Sequence, residues 1–431
     1  MRRRALLLIE GHRANGLLYA QAALRLGLHP ITLAVDPTQY DYLAAESIEA
    51  IQVDTDNFDA LVHVCIRLRS TYDIAGITGF AGRDESLYVT VAKLCRHFDL
   101  PGPNPASIER SGDKFTQRQF LAQAGVPVPA YRLAANAMEV ERSAAEIGLP
   151  MILKPAEGSG SSGVRLCRDP DELAKHTTYL LDGKYPWRSA PKILVEEFAE
   201  GPFYEVATME NAVIAVGAAD FDRPPHFVVC ESMFPAPLTD EEHERIADVS
   251  LRCLRALGLG WGPANIELRW TKRGPVVVEV NPRLPGWTTP RLIQLAYGVD
   301  IINEHIKLVI GDECDLRARH SHTSAARFLV PDRDGILDCI EGASRAASVP
   351  GIVEVRFYIE PQTPIVRKDD DRDLIGHVIA ASPSRTWTET ILQRAMDLID
   401  WSIIPLTHTG EQVQSGTTCL AAPMQEVSDK R

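Results

Sequence analysis

Two glutamates interrupt otherwise apolar runs late in the chain, Glu267 within Asn265-Ile266-Glu267-Leu268 and Glu279 within Val278-Glu279-Val280-Asn281. The turn Lys272-Arg273-Gly274 between them predicts a hairpin. The period of two in a strand would then put both carboxylates on one face with Asn281. Adjacent carboxylates repel unless a cation lies between them, and hard oxygen donors suit magnesium, so the trio is a candidate metal site. A solvated sheet face is the alternative, weakened by the apolar residues on either side. Pro282-Arg283-Leu284-Pro285-Gly286-Trp287 follows at once. A guanidinium there can clamp a carboxylate or a transferring phosphoryl group through two parallel bonds. Trp287 either walls a substrate pocket or packs in the core.

Upstream, Lys154 ends the apolar strand Met151-Ile152-Leu153, where an ammonium is costly unless an anion meets it. That placement favours a phosphate partner, against a side chain that snorkels to solvent. The strand runs into Glu157-Gly158-Ser159-Gly160-Ser161-Ser162-Gly163, and a further strand begins near Val164. Backbone N–H groups of such small residues can close over phosphate oxygens, although a plain surface hairpin has the same composition. No lysine follows Gly163 and no helix is predicted there, which excludes an ordinary P-loop. The twelve histidines lack ligand spacing, and no GxSxG elbow occurs in a strand-turn-helix context. Asp369-Asp370-Asp371, flanked by basic residues, reads as a solvated turn.

The elements that must position these groups exceed one hydrophobic core, since 431 residues call for two or three packed lobes. A net charge of -13, from 45 basic and 58 acidic residues, disfavours a nucleic-acid partner. No apolar run approaches the roughly 18 residues of a membrane span, and Arg2-Arg3-Arg4 with Ala5 to Ile9 reads as a first strand rather than a leader. Eight scattered cysteines without a CxxC pair fit a reducing cytoplasm.

Apolar runs alternating with helical patterns over residues 1–105 predict an open parallel sheet. Its first turn, residues 10–16, lacks the GxGxxG of a dinucleotide site, and Asp36 stands either as a ribose acid or as a solvated strand end. A central segment, 106–205, carries the glycine-serine loop, and Lys192 to Phe198, Tyr204 to Met209 and Val213 to Ala218 suggest an antiparallel sheet. The segment 206–405 carries the carboxylates. Within it Asp240 to Leu257 reads as a long amphipathic helix capped by Asp240. Residues 406–431 form a polar tail.

Taken in order, Lys114, Leu153-Lys154-Pro155 with its loop, Val195-Glu196-Glu197-Phe198, Asn265-Ile266-Glu267 and Glu279-Val280-Asn281-Pro282-Arg283 resemble the ATP-grasp superfamily over roughly residues 1 to 400. The resemblance implies an α/β fold with an N-terminal open parallel-sheet lobe, a small antiparallel lid lobe and a larger C-terminal lobe, with ATP between the last two. It implies that Lys114 and Lys154 contact the phosphates and that Gly158, Ser159, Gly160, Ser161, Ser162 and Gly163 close over them. The backbone of Glu196, Glu197, Phe198 and Ala199 would read the adenine edge, and Glu205 would meet the ribose. Glu267, Glu279 and Asn281 would hold magnesium, or manganese in its place. Arg283 would stabilise an acyl phosphate, with Gly286 and Trp287 against the substrate. The Arg283 to Trp287 spacing and the late Gly376-His377-Val378-Ile379-Ala380 strand are similar to L-amino-acid ligases that make dipeptides. The implied partners are a small-molecule carboxylate and amine and a second copy in a homodimer. A carboxylase or purine-pathway enzyme of the same fold, and a nucleotide-binding sensor, are the competing readings.

Overall fold

The computed structural model describes residues 2–405 apart from 14, 81–85, 184, 186, 188, 189 and 223, so the expected tail at 406–431 lies outside the described residues. The first lobe is the expected parallel sheet, ordered Glu49–Gln52, His29–Ala34, Arg3–Ile9, Tyr72–Gly79. Ala5, Leu7 and Ile9 pack among Leu61, Cys65, Val91 and Leu94 on one face of that sheet. Leu6 and Leu8 belong instead to a core shared with Leu292, Ile302, Ile306 and Val309 from the C-terminal half. This alternation along one strand buries both faces. It also fixes the loop after Ile9 against the rest of the molecule. Burying an aliphatic side chain this completely stabilises by about 1.5–3 kcal/mol. Asp36 accepts from Thr38 and Gln39 at the start of a short 3-10 turn, a local cap on an exposed strand end.

Among the described residues three antiparallel sheets form the remainder of the scaffold, one of them the three-stranded Pro364–Ile365, Gly335–Glu341, Asp400–Ile404, and the other two, one small and one large, carry the site. The small one is ordered Tyr131–Ala134, Ile193–Glu197, Met151–Pro155, Arg165–Cys167. The large one has eight strands, in the order Gly274–Asn281, Pro263–Thr271, Phe203–Met209, Ala212–Asp222, Val228–Phe234, Thr323–Leu329, Gly376–Ser382, Ile352–Phe357. The three strands expected between 192 and 218 are therefore split between sheets. The boundary expected at 205 cuts the strand Phe203–Met209, which belongs wholly to the large sheet. The helices Pro105–Gly112 and Lys114–Gln123 likewise put Ile108 and Leu121 into the core of the large lobe.

The helix Asp240–Leu257 places Ile246, Val249, Cys253, Leu254 and Leu257 against Ile266, Leu268, Val277 and Val280. Because strand residues alternate, burying those four on the helix side turns Asn265, Glu267 and Arg269 toward the opposite face. The N-cap of that helix is Thr239 rather than Asp240. Its hydroxyl accepts from Glu242 N–H while the Glu242 carboxylate accepts from Thr239 N–H, a reciprocal capping box. No helix among the described residues is long and apolar enough to cross a membrane.

Candidate active site

In the pairing of Pro263–Thr271 with Gly274–Asn281, Glu267 stands opposite Glu279 and Asn265 opposite Asn281. On its other side Glu267 stands opposite Glu205. Three glutamates thus form a row across three strands, and Asn281 Nδ2 donates to Glu267 Oε1 at 3.3 Å. Glu205 was expected at the ribose. Strand alternation puts it in the carboxylate row, where the Thr289 hydroxyl reaches it at 3.3 Å, and Phe203 takes the same-face position two residues nearer the hinge. Burial pushes the Glu205 carboxyl up to about 7, and burial together with the Glu279 charge pushes Glu267 up to about 8. Burial also works against an ionised Glu279, but Lys114 and Lys154 more than offset it and hold this carboxyl below its usual range. The buried Asn265 Oδ1 has no hydrogen-bond partner among the described residues. Hard oxygen donors, two of them carboxylates facing each other, fit a divalent cation such as magnesium. Among the described residues no group of three His, Cys, Asp or Glu is gathered as a ready metal cluster.

Lys114 starts its helix at the cleft, buried, with Nζ 3.1 Å from Glu279 Oε1 and a bond to the Gly158 carbonyl. Lys154 is also buried, but its anion is a protein group, since Nζ lies 2.6 Å from Glu196 Oε2. The register explains this ion pair: Ile152 pairs with Glu196 and Lys154 with Leu194, so the two charges are diagonal neighbours on one face. Glu196 Oε1 also accepts from Arg118 Nε at 2.6 Å, and Arg118 donates to the Val278 carbonyl. Beside it, Gln117 donates to the Val280 carbonyl at 2.8 Å and accepts from Val280 N–H at 2.9 Å. One helix therefore anchors both the hinge strand and the Glu279 strand. Sequence reasoning missed Gln117 and Arg118; a polar pair on the turn after Lys114 was their only signal.

The glycine-serine segment lies over this cleft. Gly158, Gly160 and Gly163 have φ of 125, 66 and 72°, and a Cβ at Gly163 would come within 2.8 Å of Tyr185 and 3.0 Å of Pro155. Its anchors are Lys114 at Gly158, the His176 ring at the Gly163 carbonyl (2.9 Å) and Asp371 N–H at the Gly160 carbonyl (3.4 Å). At the hinge, Glu197 N–H donates to the Ala130 carbonyl, and the Glu197 carboxylate binds Arg273 at 2.8 Å. Phe198 and Ala199 line the same cavity as Lys154 and Glu279, about 490 Å³ in volume. Its hinge end is an aromatic box that sequence reasoning did not single out. The Arg269 guanidinium stacks over Phe198, Phe203 and Phe227 at 5.4, 5.7 and 5.7 Å.

The opposite end of the cavity is built by three separated segments. Arg283, Gly286 and Trp287 follow the Glu279 strand, and Trp287 takes the left-handed φ of 50° while its ring lies 5.5 Å from Tyr358. From the first lobe come His12, stacked on Phe80 at 5.6 Å, and Tyr19, whose hydroxyl bonds the His305 ring at 2.7 Å. Burial, then the nearby Arg283 charge, pull His12 down to about 4. Its Nδ1 accepts from Asn15 N–H, so the neutral ring carries its proton on Nε2. The third segment is the aspartate triplet, which is not a solvated turn. Asp370 is buried and chelated by Arg372, and Asp371 lines the cavity together with Trp287.

Residues 113–317 match the family model for the carbamoyl-phosphate synthase L chain, ATP binding domain, and residues 327–403 match that for L-amino acid ligase C-terminal domain 2. Protein y4rH of Sinorhizobium fredii is 58% identical over 412 residues, 96% of this chain and 86% of that protein. Carnosine synthase 1 of Mus musculus is 30% identical over 273 residues, 58% of this chain but only 32% of that larger protein. The crystal structure of L-amino acid ligase from Bacillus licheniformis superposes with a TM-score of 0.76 at 18% identity, covering 94% of this chain and 100% of that one. With the lobes, the sheet orders and these matches in agreement, the chain belongs to the ATP-grasp superfamily.

Proposed function

We propose that the protein joins the carboxylate of an amino acid or other small acid to an amine, at the expense of ATP, giving an amide, ADP and phosphate. The observation that supports this reading most is the joint placement of Arg283 and the Glu205–Glu267–Glu279 row at one end of a cavity whose other end is the Phe198–Ala199 hinge. ATP would lie along that axis, its base in the aromatic box and its phosphates beside Lys114, Lys154 and the residues 158–163. Glu267, Glu279 and Asn281 would hold magnesium or manganese, which supplies charge neutralisation for the phosphates. The substrate carboxylate oxygen attacks the γ-phosphorus and the bond to the β-phosphate oxygen breaks, leaving ADP and an acyl phosphate. The amine nitrogen then attacks the acyl carbon, phosphate departs with the C–O bond pair, and the amine proton leaves to solvent.

Arg283 stabilises the negative charge that develops on the acyl oxygen, and the segment 158–163 keeps water from the mixed anhydride. The neutral His12 offers its Nε2 proton toward the same anions. Among the described cysteines all are free and most are buried, which suits a reducing cytoplasm, and a homodimer is the assembly the family resemblance implies. The test is ADP and phosphate release from MgATP with pooled amino acids and small acids, read with product masses. ADP with a new amide mass supports the ligase. Carboxylation of an acceptor by bicarbonate would favour a carboxylase instead.

A further inference from the structure

Three consecutive aspartates beside a catalytic cavity invite the question of what each faces. Asp370 is occupied by the Arg372 guanidinium, with Nε to Oδ1 at 2.8 Å. Asp373, two residues on, accepts from the N–H groups of Lys368 and Asp369 at 2.7 and 2.9 Å. Asp369 turns to the His226 ring at 3.5 Å. Asp371 differs from all of these. It lines the cavity together with Trp287, and no lysine or arginine among the described residues pairs with it within 4 Å. A half-buried carboxylate that lines a cavity without a cation beside it is well suited to one that a ligand brings. Arg283 lies near enough for its charge to act on Asp371.

We infer that Asp371 is the seat for the α-ammonium group of the amino acid whose carboxylate is activated. This rests on the ligase reading above and specifies its donor. In an α-amino acid the two charges are one carbon apart. A donor carboxylate between Arg283 and the Glu267–Glu279 pair can therefore present its ammonium to a carboxylate bordering Arg283. The polarity follows from proton chemistry. A carboxylate partner keeps an amine protonated and so non-nucleophilic, which suits the spectator amine of the donor and is wrong for the attacking amine of the acceptor. Burial, first, and the neighbouring Asp370 push the Asp371 carboxyl up to about 6, in keeping with an anion that lacks its cation. Asp371 N–H also holds the Gly160 carbonyl, so an occupied seat steadies the segment that covers the phosphates.

The experiment measures kcat/KM for matched donors, alanine against propionate, leucine against 4-methylpentanoate and phenylalanine against 3-phenylpropionate. It uses MgATP and one saturating amine, with the full chain and its Asp371→Asn variant, and product masses identify which partner supplied the carboxyl. The wild type is expected to prefer the amino acid by about 100-fold or more, as a site built around a polar group rejects the analogue lacking it. The variant is expected to bring that ratio toward one. An equal loss for both members of each pair, a ratio unmoved by the substitution, or products in which the amino acid is always the acceptor would each overturn the inference while leaving a ligase. Absence of ADP release from every donor in the wild type would instead remove the ligase reading, and this inference with it.

Discussion

Replacing Glu196 by Gln tests whether the hinge strand is held by charge rather than by shape. Glu196 is 2% exposed and lies between Arg118 Nε and Lys154 Nζ, each at 2.6 Å. Burial alone would favour its neutral form, yet the two cations more than offset that and hold the carboxyl below its usual range. The amide is nearly isosteric, so packing is kept. Two buried cations are then left facing each other without their anion, and removing one partner from a buried ion pair costs about 3–5 kcal/mol. Arg118→Met alone leaves a neutral Glu196–Lys154 pair and removes a donor from the Val278 carbonyl, costing about 1–3 kcal/mol. Urea denaturation of the wild type, both single variants and the double variant at neutral pH closes the cycle. Because the double variant removes one of the two stranded cations, it is expected to be about 2 kcal/mol more stable than the sum of the single losses. Additivity within about 0.5 kcal/mol would refute the argument, because independent sites behave that way.

Two further outcomes follow from the same geometry. Arg283→Ala is expected to lower kcat by about 100-fold or more with little change in ATP affinity, as for loss of a main transition-state donor; steady-state kinetics with an unchanged kcat would remove Arg283 from the chemistry. Asp371→Asn is expected to raise the apo protein's stability at pH 8 but not at pH 3.5. The carboxyl rises from its ordinary 3.8 to about 6 in the fold, through burial and then Asp370, with Asp373 also raising it and the Trp287 indole and Arg283 pulling the other way. Its protonated form is therefore favoured by the fold. Stability falls as pH rises from about 4 to 6, and above that window the penalty is constant at about 3 kcal/mol. Thermal melts across that range check it, and a pH-independent difference between the two proteins would sink the assignment.

The sequence by itself determined those features that depend on neighbours in the chain. The Glu267–Glu279 hairpin was legible because a short turn between two apolar runs leaves one antiparallel pairing, and the period of two then fixes which residues share a face. The parallel first lobe was legible from its βαβ rhythm, and the glycine-serine segment from side chains too small to block a backbone approach. Only the tertiary structure decided what depends on long-range register. Glu205 joined the carboxylate row because the strand Phe203–Met209 pairs with Pro263–Thr271, a choice made some sixty residues downstream that local pattern does not encode. Lys154 met Glu196 rather than solvent, and Arg118 became the largest fully buried side chain among the described residues, because a helix and two sheets converge on one point. Asp371 looked like part of a hydrophilic turn, since a sequence shows charge but not enclosure. It became a cavity residue only when the turn folded against Trp287 and Gly160, and the energy of a carboxylate is set by that enclosure.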